Sequence, residues 1–133
     1  MGPRTYHVEE ANRLLPQVRH LTGRVVEVSR QLPELQDQLR IAEYRMRRPG
    51  AGDLERDAYR RAAALLRSAE EELVRAVGAL EEMGVALKDA QIGLVDFLSY
   101  REGELVELCW RLGEESVSHW HRIGEGYAGR KPV

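Results

Sequence analysis

Side chains able to ligate a metal or move a proton gather in the last third of this chain. Leu108-Cys109-Trp110-Arg111-Leu112-Gly113-Glu114 is followed by His119-Trp120-His121, and Asp96 lies upstream in Leu94-Val95-Asp96-Phe97-Leu98-Ser99-Tyr100. The stretch holds the single cysteine, both tryptophans and two of the four histidines. A thiolate and imidazoles are the donors that suit Zn²⁺. Residues i and i+2 of a strand face the same way, so His119 and His121 could grip one ion together with Cys109. Asp96 or Glu114 would supply a further donor. Four protein donors make a closed structural site, whereas three leave a position for an activated water and hydrolytic chemistry. The spacing matches no standard zinc module, and a cysteine beside tryptophan serves equally well as a small buried hydrophobe.

Two other chemistries compete for the same residues. Asp96, Glu107 and Glu114 could work as an acid/base set, since crowded carboxylates raise one another's pKa, but a solvated strand face explains Glu107 as readily. Arg130, within Gly126-Tyr127-Ala128-Gly129-Arg130-Lys131, either meets an anion or pairs with Asp96 or Glu114 and pins the tail. Ser99, Ser116 and Ser118 sit in no Gly-x-Ser-x-Gly context, and no phosphate-binding loop is present.

The elements that must position these groups are legible from periodicity. Leu94–Tyr100 and Glu104–Trp110 read as two strands joined around Glu102-Gly103. Pairing Arg101 with Glu104 sorts Val95, Phe97, Val106, Leu108 and Trp110 onto one face and Asp96, Leu98, Tyr100, Glu107 and Cys109 onto the other. That register makes Asp96 and Cys109 cross-strand neighbours. Short pieces at Tyr6–Val8, Val85–Leu87 or Ser118–His121 could widen the sheet, for two to four strands in all. Ahead of it, every a and d position from Ala11 to Met46 is apolar, which predicts a helix over 8–47. Pro16 and Pro33 fall on its outer face and predict bends. Asp53 is the expected cap of a second helix over 53–83, whose seam alternates Tyr59, Leu66, Leu73 and Leu80 with Ala62, Ala69, Ala76 and Met83. The predicted fold class is α+β, mainly α. A long antiparallel helical hairpin stands on a small antiparallel β base within 84–133, in one domain.

Composition narrows the function. A net charge of −2 argues against a general nucleic-acid coat, and no apolar run approaches the roughly 20 residues that span a bilayer. The segment Met1–His7 lacks the apolar core of a secretory leader, and a lone cysteine favours a reduced, cytoplasmic setting.

The combined pattern resembles the bacterial domain-of-unknown-function family 2203. Tyr6, Val8-Glu9-Glu10-Ala11-Asn12 and Leu14-Leu15-Pro16 are similar to its opening. Gly93-Leu94-Val95-Asp96-Phe97, Leu108-Cys109-Trp110, Gly113-Glu114, Trp120-His121 and Gly129-Arg130 are similar to its later motifs, in order and spacing. His7 and His119 depart from the family's usual residues. The resemblance implies a small prokaryotic protein with a helical front and no established activity. The expectation is a coiled-coil binding or assembly module that forms a homodimer through its helices and holds a divalent ion such as zinc among Asp96, Cys109, Glu114, His119 and His121. The alternative is a small metal-dependent, hydrolytic enzyme built around Asp96, Cys109, Glu114 and His121.

Overall fold

In a computed structural model, residues 3–133 are described; Met1 and Gly2, part of the segment read for a leader, lie outside them. Helix α1 runs from Val8 to Arg47 and helix α2 from Asp53 to Glu82, packed together as a hairpin. At the start of α1 the Glu10 carboxylate accepts the His7 backbone N–H at 2.9 Å, satisfying one of the donors a helix start leaves free. Pro16 and Pro33 lie on exposed positions, and α1 continues through both. The turn passes through Gly50, whose φ of +84° suits glycine. The cap of α2 is Gly52, one residue before the expected Asp53. Glu55 accepts the Gly52 N–H at 3.0 Å, which leaves Asp53 inside the first turn where its charge complements the helix dipole. Among the described residues, no helix is long and apolar enough to cross a membrane.

Five strands follow in an antiparallel meander: β1 (Val85–Asp89), β2 (Leu94–Arg101), β3 (Glu104–Arg111), β4 (His119–Arg122) and β5 (Lys131–Pro132). The β2–β3 register pairs Arg101 with Glu104 and Asp96 with Cys109, as the parity argument requires. The sheet exceeds the expected two to four strands because the tail returns to place Lys131 opposite Trp120, a long-range pairing with no local periodicity to announce it. Tyr6–Val8 forms no strand. Tyr6 donates its N–H to the Leu98 carbonyl at 2.8 Å, and the chain then turns straight into α1.

One face of the sheet packs on the base of the hairpin. Val95, Phe97, Val106, Leu108 and Trp110 meet Ala11, Leu15, Val18 and Val25 of α1 and Ala76 and Leu80 of α2. Asn12 clamps the loop between β3 and β4: its carboxamide oxygen accepts the Val117 N–H at 2.7 Å and its NH₂ donates to the Val117 carbonyl at 3.1 Å. Every seam position of both helices is at least half buried, yet beyond Ser29 no residue of α1 is fully buried. Two helices without a third layer cannot enclose their seam. The core therefore lies at the sheet end, and that end carries the candidate site.

Candidate metal centre

Strand alternation sends Asp96 from β2, Glu107 and Cys109 from β3, and His119 and His121 from β4 to the face turned away from the helices. Such a face is ordinarily wet. Here Asp96, Cys109 and His121 are only 3%, 0% and 2% exposed. The covering comes from the tail. After β4 the chain turns back through Gly124 and Gly126, both at positive φ, so that Tyr127 and Arg130 come over the strands. Arg130 grips both Glu114 carboxylate oxygens at 2.9 and 2.5 Å, and its guanidinium reaches Cys109 Sγ at 4.0 Å. Of the two pairings foreseen for Arg130, the one with Glu114 is formed.

One ligand atom each from Asp96, Cys109 and His121 lies within 4.8 Å of the others. The hydrogen bonding of His121 orients its ring. Nδ1 is 2.8 Å from the Arg122 carbonyl oxygen, which can only accept, so Nδ1 carries a proton. Nε2 faces both Asp96 oxygens at 3.2 Å. Two lone-pair groups at that distance need a proton or a cation between them. For a tetrahedral zinc with ~2.0–2.1 Å bonds to nitrogen and oxygen, adjacent donors stand roughly 3.3 Å apart, close to the spacing seen. A backbone carbonyl holding the distal N–H is also how metal-bound imidazoles are commonly oriented.

The electrostatics agree with that reading. Burial raises the Asp96 pKa, with a further push from Glu107; His121 and Lys88 act in the opposite direction. Burial, and then Asp96, pushes the Cys109 thiol up to about 11, against a downward pull from Arg130. Both shifts describe a pocket where uncompensated negative charge is costly. An M²⁺ ion bound by an aspartate, a thiolate and a neutral imidazole forms a neutral unit, which removes that cost.

Glu114 and His119 are not brought into this group. Glu114 is committed to Arg130 and also accepts the Arg111 N–H at 2.7 Å, contacts that hold its carboxyl below the usual range. His119 sits opposite Cys109 in the register, but its Nδ1 lies 3.1 Å from the Ser118 hydroxyl. Lys88 is the residue that sequence reasoning missed. It occupies the irregularity between Leu87 and Asp89 in β1, and its ammonium lies 3.9 Å from Asp96 and 3.4 Å from Glu107. A bulge breaks the two-residue alternation, so parity could not place it. Lys88, Glu107 and Tyr127 join Asp96 and His121 around an open cavity of ≈250 Å³ beside the three donors.

No curated protein and no solved structure matches the chain. A family model described as an uncharacterized conserved protein does, over residues 4–133, and so takes in the helices, the sheet and the tail that closes the site. The chain belongs to that family, DUF2203.

Proposed function

We propose that this protein is a metal-holding binding module. Its sheet end carries a divalent ion between Asp96, Cys109 and His121, and its helical hairpin meets other chains. The observation that carries the reading is the meeting of three buried donors: His121 Nε2 faces both Asp96 oxygens at 3.2 Å, its Nδ1 is held by the Arg122 carbonyl, and the Cys109 thiol completes the set. Zinc suits the mixed sulfur, nitrogen and oxygen donors best. Cobalt(II) substitution tests the site: a thiolate-to-cobalt charge-transfer band should appear with saturable binding, and Cys109→Ser should abolish it. An unchanged spectrum on cobalt addition refutes the site.

Pairing with a second copy belongs to the same reading. Leu65 and Val74 on α2 stay 56% and 71% exposed beside a seam that two helices cannot close. Sedimentation should show a dimer that Leu65→Glu or Val74→Glu dissociates. A hydrolytic role is the second reading, favoured by one observation: the ≈250 Å³ cavity opens beside Asp96 and His121, where a fourth coordination position would accept water. Zinc-loaded protein that hydrolyses activated esters faster than its Cys109→Ser variant would support it, and equal rates would dismiss it.

A further inference from the structure

We infer that the far tip of the hairpin is a docking groove for an acidic amphipathic segment of a partner protein. An open cavity of ≈540 Å³ lies between the last turns of α1 and the first turns of α2. Ile41, Ala42, Leu54 and Ala58 give it apolar walls, and Arg45 and Arg48 add positive charge. Ile41 and Leu54 remain 50% and 78% exposed, an arrangement that water disfavours and an apolar side chain would relieve.

The charges around the groove point to the occupant. Arg47, Arg56 and Arg60 are held by Glu43, Asp53 and Asp57 at 2.8, 2.7 and 2.8 Å. Arg45 and Arg48, the two arginines lining the cavity, make no ion pair among the described residues; Arg48 lies over the exposed Tyr44 ring at 5.6 Å. The one carboxylate in the lining, Glu55, accepts the Gly52 N–H through Oε2 and faces Arg48 and Arg56, which leaves Arg45 the arginine of the lining with no acidic neighbour named here. An apolar cleft edged by guanidinium groups outside any ion pair complements leucine-like anchors flanked by aspartate or glutamate, the pattern of an acidic helix lying in a groove.

The other occupants fit less well. The net charge of −2 and the acids beside the arginines disfavour an RNA backbone. The chain's own acidic run, Glu70-Glu71-Glu72, offers a second copy little to insert. Glu72 is bound to Arg24 at 2.8 Å, and the following Leu73 packs against the core.

The test uses the full chain and a fluorescein-labelled amphipathic peptide with leucines at helical spacing and glutamates beside them. A counterpart with lysines in place of the glutamates, and a single-stranded RNA, serve as competing probes. The acidic peptide should bind by fluorescence anisotropy, and the lysine peptide should not. Arg45→Glu with Arg48→Glu, and separately Leu54→Ser, should each weaken binding by about tenfold or more. Circular dichroism should show both variants folded, as expected for exposed positions. No binding of the acidic peptide, or binding unchanged in both variants, overturns the proposal. RNA binding lost with the arginines overturns it in favour of a nucleic-acid contact. A dimer that Leu54→Ser dissociates overturns it in favour of self-association. Metal content plays no part in any of these readouts, so this groove and the metal centre stand or fall separately.

Discussion

Cys109 is the residue whose surroundings make the sharpest prediction. With its thiol pushed up to about 11, the metal-free folded protein should alkylate with iodoacetamide near neutral pH about a hundredfold more slowly than an ordinary thiol. A rate close to that of free cysteine would mean the tail does not cover the strand face. Metal loading must expel the thiol proton, so titrating zinc into weakly buffered protein should release acid, and Cys109→Ser should remove that release. Glu114 predicts a pH dependence of stability. Its bond to Arg130 depresses the folded-state pKa below the ordinary glutamate value of 4.5. The contribution is thus present above that value and lost as pH falls through the lower, folded one. Glu114→Gln should lower Tm at pH 7, and the deficit should shrink toward pH 3. A pH-independent difference would show that the Arg130 pairing is not its source. At this scale the sequence displayed Asp96, Cys109 and His121 as donors. Choosing them over Glu114 and His119 depended on Arg130 and Ser118, partners brought in by folding.

Elements explain why those donors meet. Alternation along β2 and β3 made the Asp96–Cys109 pairing readable, because only one register separates apolar from polar residues cleanly. The same logic could not place Lys88, which sits at a bulge, or foresee β5, whose two residues depend on the tail's return. The turn into β2 is equally specific. Gly93 has φ +73°, and an added Cβ would lie 2.7 Å from Leu112 Cβ and 3.0 Å from Thr22 Cγ2. Gly93→Ala should therefore cost more than about 1 kcal/mol in chemical denaturation, combining backbone strain with overpacking. A smaller cost would mean the turn shifts freely. Asn12 joins α1 to the loop between β3 and β4 through its two bonds to Val117, and Asn12→Leu should destabilise by about 1–3 kcal/mol by leaving that backbone unpaired. Asn12 stood out in the sequence only as part of a familiar opening; its bond partner lies too far along the chain for spacing to reveal.

Over the whole molecule, the fully buried core lies at one end of the hairpin. The roofed end of the hairpin holds Trp110, Phe97 and Leu80 fully buried, while the far turns expose Ile41, Tyr44 and Leu54, and Leu65 and Val74 stay exposed along α2. The heptads announced both helices, because a seven-residue apolar repeat is a local signal. They did not announce that only the basal turns gain a third layer. That division is what the proposed roles rest on: three clustered donors at the sheet end and exposed apolar side chains on the helices. The measurement that tests the centre most directly is metal content per chain, by elemental mass spectrometry, of untagged protein purified without chelator. The account predicts near-stoichiometric zinc that disappears in Cys109→Ser and in His121→Ala, with each variant still folded. Metal-free protein whose Tm does not move when zinc is added would contradict it.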